Sequence, residues 1–201
     1  MVRHKTSHLS AGSSMARAIF RIFTVALAIA LTACSGLLKS PGQESTGPDG
    51  IACVGHAPTA AFHLRVVNND DLLALARAVS GKGGMCSARA FAVVEPIVVY
   101  RVYDVAKGSA NYGKWWSFYH PAGSKDDYRA AYGICKEWSN LDRLISCQVK
   151  PGAEIVLGTT QSADCKDVSY KKTADIQIFI PNDQRAGVLY VENCQDEGEW
   201  P

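Results

Sequence analysis

Residues 90–103 read AFAVVEPIVVYRVY. β-Branched and aromatic residues dominate the run, and Pro96, which has no N–H to give to a ladder, divides it into two strands. In the second strand Ile97, Val99, Arg101 and Tyr103 share one face, while Val98, Tyr100 and Val102 share the other. Upstream, NNDDLLALARAV (68–79) has the period of a helix. Asn69 or Asp70 can cap it, acids fill its first turn, Leu72, Leu75, Ala76 and Val79 fall on one face, and Gly81-Lys82-Gly83-Gly84 stops it. Downstream, GKWWSFY (113–119) is a candidate strand and residues 126–135 a short helix holding Tyr128 and Arg129. Further short strands are expected at 143–149, 154–157, 175–181 and 188–192, separated by turns such as Pro151-Gly152. A helix followed by mostly strands predicts an α+β fold, an N-terminal helix leading into a mostly antiparallel or mixed sheet.

The chain has 201 residues, 47% hydrophobic and 20% charged, which fits one globular domain behind a tail. Residues 1–33 hold Arg3, Lys5, Arg17 and Arg21 and no acid, so a chain beginning at Cys34 carries 17 basic and 19 acidic residues. That balance gives no electrostatic reason to seek nucleic acid. From Met15, a candidate start alongside Met1, Arg17 and Arg21 precede an apolar run of 12 residues, Ile22 to Ala33, well short of the roughly 20 needed to cross a bilayer. It ends in Leu31-Thr32-Ala33-Cys34, which resembles the bacterial lipobox. The resemblance implies cleavage before Cys34, acylation of its thiol and a membrane anchor, with Ser35 pointing to the outer membrane; the alternatives are a plain secretory signal cleaved near Ala33 or a signal anchor that stays. The expected organisation is a signal sequence over 1–33, a flexible tether over 34–50 and a single globular domain over 51–201.

Six further cysteines, Cys53, Cys86, Cys135, Cys147, Cys165 and Cys194, make an even set in an exported chain and predict disulfides in an oxidising compartment. They are separated by 32, 48, 11, 17 and 28 residues, with no C-x₂-C pair, so no metal site is expected. Sequence order and local reach favour Cys53–Cys86, Cys135–Cys147 and Cys165–Cys194.

No nucleotide loop, nucleophile elbow or zinc-protease helix is present, and His56, His63 and His120 are scattered without a triad signature. A different constellation runs through YRVYDVAKGSANYGKWWSFYHP (100–121), Tyr128-Arg129, Gly158 and IQIFI (176–180). This order resembles the ADP-ribosyltransferase-like domains of bacterial NAD-consuming toxins, of the tuberculosis necrotizing toxin type. There an arginine-x-tyrosine strand is followed by a Gly, an aromatic strand of the W-[ST] kind, a Pro, another arginine, and a late Gln or Glu ahead of an aromatic residue. It covers residues 95–182; no clear S-T-S appears, and the late position is Gln177, not Glu.

The resemblance implies NAD as a substrate, not a resident cofactor. Arg101 would hold the pyrophosphate and Arg129 the second phosphate; Trp115 or Trp116 (Trp116 being preferred), with Tyr112, would hold nicotinamide. Tyr103 and Ser117 would line the site, and Gln177 would orient the ribose near C1′. A neutral amide there tilts the chemistry from transfer to hydrolysis. Each residue also has a structural role open to it: Arg101 as an ion pair with Asp104 or Glu95, one Trp as core, and Gln177 as the solvent face of a strand. The rival expectation is a non-enzymatic envelope lipoprotein, an immunity-type inhibitor or assembly factor, whose Trp115, Trp116, Phe118 and Tyr119 form a flat interface with a protein partner.

Overall fold

The structure, a computed structural model, describes residues 45–108 and 111–201. The expected signal sequence, Cys34 and most of the tether lie outside the described residues. The last tether positions, 45–50, are hydrogen-bonded into the body. Cys53 N donates to Ser45 O, and Asp49 Oδ2 accepts from both Ser80 N and Ser80 Oγ.

Among the described residues, ten strands and two α-helices follow in chain order: β1 (Leu64–Val66), α1 (Asp70–Ala76), β2 (Met85–Val93), β3 (Ile97–Tyr103), β4 (Trp115–Trp116), α2 (Lys125–Tyr132), β5 (Arg143–Val149), β6 (Glu154–Thr160), β7 (Ala163–Asp164), β8 (Ser169–Tyr170), β9 (Ile176–Phe179) and β10 (Val191–Glu199). A 3₁₀ turn, Lys136–Trp138, follows α2. The described residues are 39% strand and 12% helix, so the α+β expectation gives way to a mostly β fold. The expected helix over 68–79 is the seven-residue α1, preceded by a strand. Asn69 caps it, its side chain accepting from Leu72 N. It ends early because the next residues are drawn into a sheet: Arg77 is extended and bridges Met85, and Ala78 N donates to Met85 O. Those ladder bonds compete with one further turn of a helix too short to be stable by itself.

One sheet has the order β1-β2-β6-β9-β4, and a second the order β10-β5-β3. All pairings are antiparallel. Paired bonds between Tyr100 and Ser117 join β3 of the second sheet to the end of β4 in the first. The alternation of side chains then builds the layers. Phe91, Trp116, Ile155, Leu157 and Ile178 of the first sheet meet Val99, Ile145, Val149 and Val191 of the second in one shared core. On the other face of the first sheet, Val156 and Phe179 pack with Leu72 and Ala76 of α1. On the other face of the second, Val102, Leu144 and Trp200 pack with Tyr128 of α2. Burying each such aliphatic or aromatic side chain stabilises the fold by about 1.5–3 kcal/mol.

Three disulfides staple the body: Cys53–Cys86, Cys135–Cys165 and Cys147–Cys194. The first matches the sequence-order expectation; the other two exchange partners. Local reach fails because β5 is continuous from Arg143 to Val149 and carries Cys147 into the core. Leu141 to Ile145 therefore cannot turn back toward Cys135. In β10 a bulge sets two residues, Asn193 (in a left-handed conformation, φ 49°) and Cys194, against Cys147, so the bond is made across the sheet. Peptide mapping without reduction is expected to join Cys147 to Cys194 and Cys135 to Cys165. Replacing Cys147 and Cys194 together by Ser should cost about 3–4 kcal/mol in urea unfolding, the scale of closing a loop of this length.

Candidate active site

Residues from five separate parts of the chain converge on a cleft of about 260 Å³. Its lining includes Gly84 ahead of β2, Arg101 in β3, Trp115 in β4, Tyr132 at the end of α2, Trp138 in the 3₁₀ turn and Gln177 in β9. Among the described residues that line it, Arg101 carries the formal charge and no Asp or Glu takes part.

Gln177 is 5% exposed. The β6–β9 register sets it opposite Gly158, and its Nε2 donates to Gly84 O at 3.2 Å and Thr160 Oγ1 at 2.9 Å. Thr160 Oγ1 in turn donates to Asp175 O at 3.1 Å. A carbonyl oxygen can only accept, so the amide nitrogen must face Gly84, and the chain of donors runs one way. With both amide hydrogens committed, Oε1 remains to accept a hydrogen bond from a group in the cleft.

Arg101 lies within the protein, and one Nη donates to Trp115 O at 2.7 Å. Burial pulls its guanidinium down to about 10, which still leaves it a cation at neutral pH. Gly113 packs directly on the guanidinium, so that a Cβ at that position would overlap Cζ and Nη2. The nearby Tyr128 phenol is pushed up by burial and hydrogen-bonds with Ser117. Trp115 stands edge-to-face on Phe179, ring centroids 5.0 Å apart, and this contact fixes its ring at the cleft wall.

The remaining expected site residues lie elsewhere. Trp116 is core, and its indole N–H donates to Gly113 O. Strand alternation sends one tryptophan inward and the other, Trp115, to the cleft. Tyr103 and Tyr112 pack against the shared core. Ser117 is buried, with its hydroxyl on Tyr119 O. Arg129 is also buried and spends its guanidinium on three backbone carbonyls, those of Ile134, Cys135 and Ser139. These lie past the end of α2 in a stretch without a sheet ladder, so its buried carbonyls need donors from side chains. Arg129 is thus a tie for the cleft wall, not a lining residue. Glu137 approaches Cys135 and Cys165 closely enough to suggest a metal site, but the two sulfurs are joined to each other.

Gly84, Thr160, Tyr132 and Trp138 were not among the residues singled out from sequence. The glycine run 81–84 read only as a helix stop, and nothing local marks Lys136-Glu137-Trp138 as more than a turn. No family model, curated protein or solved structure is similar to this chain.

Arg129→Ala should lower stability by about 2–4 kcal/mol in urea unfolding, since three buried carbonyls lose a charged donor. Arg129→Lys should recover less than half of it, because one ammonium cannot span the three acceptors.

Proposed function

We propose that the cleft binds NAD and hydrolyses the bond between nicotinamide and ribose. The observation that carries this reading is the convergence of Arg101, Gln177 and Trp115, chosen from widely separated positions, on one concave site. The Arg101 cation in the lining suits a pyrophosphate, which Arg can hold through a planar fork. An aromatic wall suits the nicotinamide ring. In the reaction the C1′–N bond breaks, its electron pair leaves with neutral nicotinamide, and C1′ becomes oxocarbenium-like. Water then adds to C1′ and loses a proton to solvent, giving ADP-ribose.

Gln177 Oε1 would accept from a ribose hydroxyl and place partial negative charge beside the developing cation. A neutral amide takes up no proton at working pH, so the site offers no general base here for a protein nucleophile, and water is the acceptor. The three disulfides are compatible with an exported protein. Attachment to a membrane through Cys34 belongs to the same proposal.

Purified protein incubated with NAD is expected to release nicotinamide and free ADP-ribose in equal amounts. Gln177→Ala and Arg101→Ala should each lower kcat/KM by roughly 10²-fold or more, the scale of one lost transition-state contact. Gln177→Glu should lose as much, because a carboxylate would face Gly84 O with no hydrogen to give. Gly113→Ala should behave like the Arg101 variant without touching a ligand itself. A wild-type protein that releases no nicotinamide ends this reading; label transferred from NAD to protein would replace hydrolysis by transfer.

A second reading, capture of a protein partner, rests on a separate feature. An apolar groove of about 530 Å³ runs beside Pro58, Pro96, Val98 and Phe118, flanked by Phe62 and Tyr119, 83% and 82% exposed. The four aromatics expected to form one flat patch are divided: Trp116 in the core, Trp115 at the cleft, and Phe118 and Tyr119 along this groove.

A further inference from the structure

The cleft is too small for the whole of a dinucleotide. Sites that enclose a drug-sized ligand run from about 300 to 1,000 Å³, and this one holds about 260 Å³. A ligand whose reacting ribose sits beside Gln177 therefore projects its other half through the mouth. Trp138 stands there, lining the cleft yet 43% exposed.

Its backbone is tied from several sides. Trp138 N donates to Cys135 O, the Lys107 ammonium donates to Trp138 O, and Arg129 holds Ser139 O next to it. Cys135 is itself fixed by its disulfide to Cys165. The ring rests against Gly83, where a Cβ would come within 2.9 Å of the six-membered ring. Gly83 has φ of 70°, so both its conformation and the contact favour the absence of a side chain. The turn thus presents a large aromatic ring, backed on one side, at the opening of a site already lined by a cation and an aromatic wall.

We infer that Trp138 is the stacking platform for the adenine half of the dinucleotide, with the nicotinamide half inside the cleft. The inference rests on the NAD reading above. It makes Trp138 a residue that selects the dinucleotide over its nicotinamide mononucleotide half, through affinity and not through the chemical step. Stacking of one base on an aromatic side chain is commonly strong enough to change affinity about tenfold or more.

Steady-state hydrolysis of NAD and of nicotinamide mononucleotide is compared in wild type, Trp138→Ala and Trp138→Phe. Trp138→Ala should raise KM for NAD about tenfold with kcat within twofold. Trp138→Phe should restore most of the loss. For the mononucleotide, which lacks adenine, the KM should be the same in all three. An unchanged KM for NAD, or an equal loss with both substrates, overturns the platform while leaving the NAD reading intact. A wild type that cleaves neither substrate overturns both. Should Trp138→Ala fail to fold, the Trp138→Phe protein decides. An undiminished preference for NAD supports stacking, and the same preference in Trp138→Leu, of similar stability, overturns it.

Discussion

The register between β6 and β9 is the constraint on which the cleft depends. β6 is hydrogen-bonded to β2 on one side and to β9 on the other, and its own Ile155 and Leu157 are fully buried in the shared core. A slip of one residue would turn that apolar face outward and send Val156 inward, so the register is held by the whole core and not by any one contact. Gln177 inherits this rigidity. It stands opposite Gly158, within reach of Thr160 two residues further along β6, and on the same face as Phe179, against which Trp115 leans.

The opposite wall of the cleft has no such sheet behind it. From Gly133 to Leu141 the chain forms a single 3₁₀ turn and connecting segments, and the fold holds them by other means. Arg129 donates to three carbonyls of this stretch, Cys135 is linked to Cys165, and Asp104 accepts from Asn140 N. Each device fixes backbone and leaves side chains such as Trp138 and Tyr132 to face the cleft. One wall is thus rigid through hydrophobic burial and the other through cross-links, a division that suits an exported protein in which disulfides persist. Arg101 joins the two sheets beside the cleft. It arises from β3 in the second sheet and bonds to the backbone of β4 in the first.

The chemistry proposed here follows from what the site lacks as much as from what it holds. Among the described residues its lining offers one cation, a hydrogen-bond acceptor of fixed direction and aromatic faces, but neither a carboxylate nor a histidine. Such a set can position a charged leaving-group substrate and stabilise a cationic centre, while proton transfer falls to water.

The sequence by itself determined the elements with strong periodicity. Pro96 divided two strands as its missing N–H requires, and β5 spans the residues that its alternation indicates. Arg101 and Gln177 are named by the resemblance and lie on one cleft, whereas the preferred Trp116 is core and its alternative Trp115 lines the cleft. The fold class is not legible in the sequence, since the pattern of 68–79 shows a helical face but not the ladder with β2 that ends the helix at Ala76. Two of the three disulfide pairings, too, were decided only by tertiary structure: Cys147 pairs across a sheet with a residue 47 positions away, where a bulge brings it into reach. The same holds for Arg129, Trp116 and Trp138. Which face of a strand is inward, and which turn lies over a cleft, depends on the elements packed around them, and a local pattern carries no record of those neighbours.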